Sequence, residues 1–333
     1  MTRSAAIIAN GLSVGYATAG QAHTVCGPLD VTLQRGELVC LLGPNGAGKC
    51  TLMSTLAGIL PPLTGSVHLG DAPLARLSVR DRARRLAIVT TERVDAPGLT
   101  GYALVALGRY PHTGWFGSLT PDDTARVEEA IALAGAEAFR NRLVGELSDG
   151  ERQRLMLARA LAQAEDVLIL DELTAFLDLP RRVETMRTLR RLARDAGRAV
   201  LLSTHDLDLA LRSADQIWLL PRGGPLRVGV PEALVLDGAF ADAFRTEGVE
   251  FDMVDGSFHV RERGGRAATV VGSGAPGRWT ARALERRGWV IREDAEVSVT
   301  ISDTLSWTLT REAPSPPQEG EGLDSLLAVL GEG

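Results

Sequence analysis

Short, wholly apolar runs alternate along the first three quarters of the chain with longer segments in which arginine and acidic residues recur at helical spacing. Glu37 to Leu42 (ELVCLL) runs straight into a glycine-rich stretch, and Thr51-Leu52-Met53 opens a helical pattern beyond it. That order predicts strand, loop, helix. Apolar runs of strand length return at Val167-Leu170, Ala199-Ser203 and Ile217-Leu220, separated by amphipathic segments such as Arg181-Arg194. Strands apolar on both faces and alternating with helices predict an α/β fold whose largely parallel sheet is covered on both sides. From about 97 to 164 the pattern is mainly helical, which predicts an inserted helical subdomain. The first domain is expected to span residues 1–248.

The pattern then changes. Val297-Ser298-Val299-Thr300-Ile301 alternates as a strand, and a helix is expected around Trp279 to Arg287, so residues 249–333 predict a small accessory α/β domain. Ala313 to Gly322, rich in Pro, Glu and Gly, reads as a flexible linker before a short terminal helix. Gly272-Ser273-Gly274-Ala275-Pro276-Gly277 fits G-x-G-x-x-G between a strand and a helix, with Glu293 and Asp294 following. A lone match leaves two readings open: a ligand loop, or a tight turn in a regulatory or dimer-stabilising module.

Composition narrows the setting. The chain has 333 residues, 45% hydrophobic and 23% charged, enough for one large core and a second small one. A net charge of -6 disfavours nucleic acid as a partner through a broad basic face. There is no apolar run near 18 residues and the opening residues are too short an apolar stretch for a signal peptide, so a cytosolic protein is expected, with any membrane role coming through a partner. Three cysteines, Cys26, Cys40 and Cys50, show no metal-ligand spacing and suit a reducing compartment.

One further count changes the picture. Of 36 cationic residues a single one, Lys49, is lysine, and it ends the run Gly43-Pro44-Asn45-Gly46-Ala47-Gly48-Lys49. Successive amides of such a turn converge on a phosphate chain, the next helix adds its positive N-terminus, and lysine supplies a compact point charge. The alternative for the loop alone is a tight strand-to-helix turn. A second element stands at Val167-Leu168-Ile169-Leu170-Asp171-Glu172, an apolar strand ending in two carboxylates that face different ways. Near a phosphate loop, Asp171 is expected to hold Mg2+ and Glu172 to orient the water that attacks the γ-phosphate of a nucleotide.

Leu147-Ser148-Asp149-Gly150-Glu151-Arg152-Gln153 resembles the LSGGQ signature of ABC transporter ATP-binding subunits, and the resemblance runs from about Ile7 to Gly248 with the motifs in the family's order. It implies a P-loop NTPase domain of ABC type, with ATP and Mg2+ as cofactors. The loop Gly43 to Gly48 with Lys49, Cys50 and Thr51 would bind the phosphates. Tyr16 would stack on adenine, Asp178 would communicate across a dimer, and His205 would contact the γ-phosphate. One loop and one signature imply a two-fold homodimer, with each ATP held between Lys49 of one copy and Ser148, Asp149, Gly150 and Glu151 of the other.

Several positions depart from that pattern. Cys50 stands where the family has a hydroxyl for Mg2+, and Thr91, with Glu92 beside it, stands where most relatives have a metal-sensing glutamine. Both are doubtful metal positions. Asp149 replaces a glycine, and Leu173 a proline. A cysteine at a helix N-terminus beside Lys49 predicts a lowered thiol pKa and an oxidation switch, against the alternative of a tolerated near-isostere. The segment Leu104 to His112 resembles that of importers of iron-siderophore complexes, haem and cobalamin. It implies multi-span membrane permease subunits as partners, a substrate-binding protein acting indirectly, and a peripheral position on the cytoplasmic face of the inner membrane. The alternatives left open are a soluble ABC ATPase such as a cluster-assembly subunit, and an ATP-binding subunit with impaired hydrolysis.

Overall fold

The structure is a computed structural model that describes residues 4–18, 21–90, 96–114, 117–163, 165–175, 177–245, 249–253, 256–260, 265–311 and 315–331. Its packing divides the chain into two compact units, Met1–Arg245 with Phe251–Ser257 and Thr246–Glu250 with Phe258–Gly333.

In the first unit a long hairpin, β1 (Ala5–Thr18) and β2 (Gln21–Gln34), leads into β3 (Leu38–Leu42) and α1 (Lys49–Leu56). β4 (Thr64–Leu69) and β5 (Ala72–Pro73) complete a four-stranded antiparallel sheet ordered β2-β1-β4-β5. α2 (Val79–Ala83) precedes β6 (Leu86–Val89), after which the chain is helical through α3 (Gly101–Ala106), α4 (Pro121–Leu133) and α5 (Asp149–Gln163). It then returns to β7 (Val167–Leu170), α6 (Leu179–Arg194), β8 (Ala199–Ser203), α7 (Leu207–Ser213) and β9 (Gln216–Leu219). β10 (Arg227–Gly229), α8 (Pro231–Leu236) and α9 (Ala239–Ala243) follow, and the two-stranded sheet of β11 (Val249–Asp252) and β12 (Ser257–Val260) is divided between the two units.

The second sheet of this unit is ordered β10-β9-β3-β8-β7-β6, parallel except where β10 meets β9. Its central strands β3, β7 and β8 are apolar but for Ser203 at the end of β8, because both faces are buried. Leu38, Cys40 and Leu42 of β3 point into a core shared with α3, α4 and α5, while Val39 and Leu41 point into another shared with the hairpin and α1. β7 and β8 divide the same way, with Leu168, Leu170, Val200 and Leu202 on one side and Val167, Ile169, Ala199 and Leu201 on the other. The strand order sets β3 beside β8 and β8 beside β7, so their carboxyl ends line up at one edge of the sheet. Among the described residues, no helix is long and apolar enough to cross a membrane.

The second unit is built on a five-stranded sheet ordered β14-β13-β15-β16-β17, comprising β13 (Ala267–Val271), β14 (Val290–Ile291), β15 (Val297–Ile301), β16 (Ser306–Thr310) and β17 (Gln318–Glu321), with α10 (Gly274–Glu285) and α11 (Leu323–Leu330). Ala268, Leu284, Trp289, Val299, Trp307 and Leu326 are among its core residues. The expected flexible linker at 313–322 is corrected here: Gln318–Glu321 is a strand, pairing antiparallel with β16 from Ser306↔Glu321 to Leu309↔Gln318. A glycine is required at Gly320 because the Trp307 indole lies where a side chain would stand. The prolines Pro316 and Pro317 precede this edge strand, where no ladder N–H is lost. The glycines at 272 and 277 have a packing role. A side chain on Gly277 would meet the carbonyl of Gly272, and one on Gly272 would meet Ile301. Close seating of α10 on the sheet accounts for both.

Candidate functional site

The glycine run connects β3 to α1 as a compact loop. Gly43, Gly46 and Gly48 all have positive φ, at 155°, 79° and 102°, and a side chain at Gly43 or Gly48 would strike Leu220 or Val25. The Lys49 ammonium, 5% exposed, folds back onto the loop, donating to the Gly43 carbonyl at 2.9 Å and the Pro44 carbonyl at 3.3 Å. Burial lowers its pKa, and the charges of Glu172, Cys50 and Asp171 oppose that shift. Arg222, just past β9, donates from Nε and Nη2 to the Asn45 carbonyl at 2.9 and 2.6 Å and so fixes one peptide of the loop.

Asp171 and Glu172 leave the end of β7 in different directions. Asp171 is buried and accepts a hydrogen bond on Oδ1 from the Ser203 hydroxyl at 2.5 Å. That same hydroxyl accepts the Glu172 N–H at 3.0 Å, and Gln153 Nε2 donates to the Glu172 carbonyl at 3.0 Å. The two bonds hold Glu172 at φ 49°, a left-handed conformation that is uncommon for a non-glycine residue. Its carboxylate meets His205 Nε2 at 2.7 Å. Glu172, Thr174, Ala175, Arg182, Thr204, His205 and Asp206 line a cavity of about 280 Å3.

Tyr16 is half exposed, with its hydroxyl 3.1 Å from Thr51 Oγ1, which ties β1 to the first turn of α1. Its ring is therefore available to a flat ligand beside the loop. Lys49, Cys50, Thr51, Tyr16, Asp171, Glu172 and His205 thus gather at the carboxyl ends of β3, β7 and β8. The signature residues form their own network. Ser148 N–H and Oγ both donate to Glu151 Oε2, at 2.8 and 2.9 Å, and Glu151 N–H donates to Ser148 Oγ at 3.3 Å. This is a capping box on α5. Those bonds, with Arg142 at 2.9 Å, hold the Glu151 carboxyl below the usual range. Asp149 pairs with Arg152 at 3.2 Å, and Gly150 follows it in the first turn. Asp178 caps α6 by accepting the Arg181 N–H at 3.1 Å. Thr91 lies outside the described residues.

The expected lowering of the Cys50 thiol pKa is corrected. The thiol is pushed up to about 11, first by burial, then by donating a hydrogen bond to Asp171 and by the charges of Asp171 and Glu172, which together outweigh Lys49. Desolvation, with the acid pair adding to it, therefore overrides the helix terminus, and the thiol keeps its proton near neutral pH. As a donor set for Mg2+ the site fits in one part only. The Asp171 carboxylate suits a hard ion, but Cys50 presents sulfur where oxygen is wanted. Ser203, Gln153 and Arg222 had no role assigned from sequence, although Ser203 could have been noticed as the polar end of an otherwise apolar strand.

The pattern of the family described as ABC transporter matches residues 26–175, and that of the iron ABC transporter C-terminal domain matches residues 265–330. An uncharacterised ABC transporter ATP-binding protein of Methanocaldococcus jannaschii is 38% identical over 250 residues, covering 75% of this chain and 85% of the relative. The achromobactin transport ATP-binding protein of Dickeya dadantii is 39% identical over 235 residues, covering 70% and 85%. The iron(3+)-hydroxamate import ATP-binding protein of Bacillus subtilis is 34% identical over 218 residues, covering 66% and 80%. Among solved structures, a dimeric bacterial ABC transporter cassette superposes with a TM-score of 0.62 at 24% identity, covering 68% of this chain and 98% of that one, which shows the shared fold. With a phosphate loop, two strand-end carboxylates and a capped signature helix in place, the chain belongs to the ATP-binding proteins of the ABC transporter family.

Proposed function

We propose that this chain is the energy-coupling ATPase of an importer for metal chelates of the iron-siderophore, haem or cobalamin class. The observation that carries the ATPase reading is the convergence of Lys49, Asp171, Glu172 and His205 at one edge of the sheet. The substrate class rests on relatives named for achromobactin transport, iron(3+)-hydroxamate import and, in Halobacterium salinarum, cobalamin import, and on the C-terminal match at 265–330. In this reading the loop amides and the α1 N-terminus receive the outer phosphates, and Lys49 exchanges its two carbonyl partners for phosphate oxygen. The Tyr16 ring stacks on adenine. Glu172, clamped by Ser203 and Gln153, aligns water on the γ-phosphate, while His205 Nε2, 2.7 Å away, holds the carboxylate.

Two copies close on two ATP molecules, with Ser148 of one facing Lys49 of the other and Asp178 at the junction. Glu151 then yields the Ser148 N–H and hydroxyl to phosphate and keeps its bond to Arg142. Residues 97–164 serve as the helical subdomain that meets the permease subunits at the cytoplasmic face of the membrane, and residues 249–333 as an accessory domain. A strain lacking this gene should lose uptake of at least one iron chelate, haem or cobalamin, and the wild-type gene should restore it where Glu172→Gln does not. Unchanged uptake of all three classes would refute the importer assignment.

A further inference from the structure

We propose that Arg182 is a positioning residue that ties the loop carrying Asp178 to the segment carrying His205, so that closure of two copies at Asp178 sets His205 on Glu172. The proposal rests on the two-copy ATP reading above. Arg182 stands in the first turn of α6, just after Asp178, and is half-buried. Its Nε donates to the Leu177 carbonyl at 2.8 Å, and its Nη1 donates to Asp206 Oδ2 at 3.4 Å. One planar guanidinium therefore holds both the residue before Asp178 and the residue after His205, which a fork of fixed donors can do and a point charge cannot.

The two attachments differ in kind. The Leu177 bond is short and local, so Arg182 follows the loop that carries Asp178. The Asp206 contact is longer, and Asp206 uses its other oxygen, Oδ1, to accept the Leu209 N–H at 3.1 Å and cap α7. Oδ2 can therefore be drawn in or released without unwinding that helix. A second link joins the same two segments: the buried Thr174 and Thr204 hydroxyls lie 3.2 Å apart, and Thr204 Oγ1 accepts the Asp206 N–H at 3.1 Å. This buried pair acts as the pivot, and the half-buried guanidinium acts as the arm. Glu172, Arg182 and His205 line one cavity of about 280 Å3, in which His205 Nε2 lies 2.7 Å from Glu172. Attraction between partly buried charges grows as they approach, so an inward shift of the Asp178 loop becomes a firmer hold on Asp206 and on the adjacent histidine.

The test uses the full chain. Arg182→Ala should lower kcat about tenfold, the cost of one charge-assisted bond lost at the transition state, while KM for ATP stays within about twofold. Arg182→Lys keeps the charge but not the fork, and should lose most of the same rate. Asp206→Asn keeps an oxygen for the α7 cap and should also slow turnover, and combined with Arg182→Ala it should be no slower than Arg182→Ala alone. In a Glu172→Gln background, light scattering should show the same ATP-driven association with and without Arg182→Ala. Turnover of both Arg182 variants within about twofold of wild type, or a double variant whose loss is the product of the two single losses, would overturn the relay. So would association that vanishes only with Arg182→Ala, which would place the residue's role in the interface. Absence of association in the Glu172→Gln chain itself would instead contradict the two-copy reading, and the proposal with it.

Discussion

Replacing Ser203 by alanine should slow ATP turnover while leaving nucleotide binding in place. This hydroxyl is fully buried and makes two bonds at once, donating to Asp171 and accepting the N–H of Glu172. A hydrogen bond to a charged group contributes about 1.5–3 kcal/mol, and a buried neutral one about 1 kcal/mol. Alanine removes both, and no solvent reaches the position to replace them. The cost to folding should therefore be about 2–4 kcal/mol. Turnover suffers separately, because Glu172 sits at φ 49°, a geometry costing about 1–3 kcal/mol that its neighbours must sustain. With only Gln153 still gripping its carbonyl, relaxation of the backbone should misdirect the carboxylate. A loss of about 1.4–2.7 kcal/mol of transition-state stabilisation corresponds to about 10–100-fold in kcat. ATPase assays, urea unfolding and nucleotide titration on the same preparations separate the effects, and Ser203→Thr, which retains a hydroxyl, should recover part of the rate. A Ser203→Ala protein that turns over within about twofold of wild type would refute the clamp.

Two further substitutions probe other links. Glu165, 3% exposed, has its pKa raised from 4.5 to about 7, chiefly by burial and then by Asp166, so its bond to His112 at 2.8 Å joins two groups disposed to be neutral. An acid that holds its proton more tightly when folded gives its full stability below about pH 4.5 and loses it as pH rises toward 7. Glu165→Gln should remove that slope, gaining relative to wild type by on the order of 3 kcal/mol at pH 8; urea midpoints at pH 4.5, 6 and 8 check it, and a constant difference would contradict it. Arg222→Ala should weaken nucleotide binding by about 3–10-fold, the worth of roughly one hydrogen bond on the Asn45 carbonyl, while stability stays within about 0.5 kcal/mol. Calorimetric titration with ATP at fixed salt reads that effect.

The parts of this site legible in the sequence are those written in consecutive residues. The phosphate loop, the Asp171-Glu172 pair and the Ser203-to-Asp206 stretch each follow an apolar strand, and a strand buried on both faces announces itself by composition. The clamps on Glu172 and Asn45 were not legible, because they join residues 31, 19 and 177 positions apart. Those pairings depend on strand order, which puts β3 between β9 and β8 and brings β7 next to β8. Cys50 misled for the same reason. Its local surroundings, a helix N-terminus and a lysine, favour a thiolate, but desolvation, helped by the carboxylates that arrive from β7, outweighs them. Similarly, the Pro, Glu and Gly content near 313–322 describes a solvated segment, and what makes Gln318–Glu321 a strand is the free edge of β16 and the Trp307 ring over Gly320.

The central claim is that each ATP is held between Lys49 of one copy and Ser148 of another. It is tested most directly by mixing two inactive proteins, Lys49→Ala and Ser148→Arg. A mixed dimer contains one site with both defects and one site with neither, so the mixture should hydrolyse ATP well above the sum of the separate proteins. Activity should peak at equal amounts, and Glu172→Gln in both partners should abolish it. A mixture that never exceeds that sum, although the two proteins are shown to associate, would contradict the shared site.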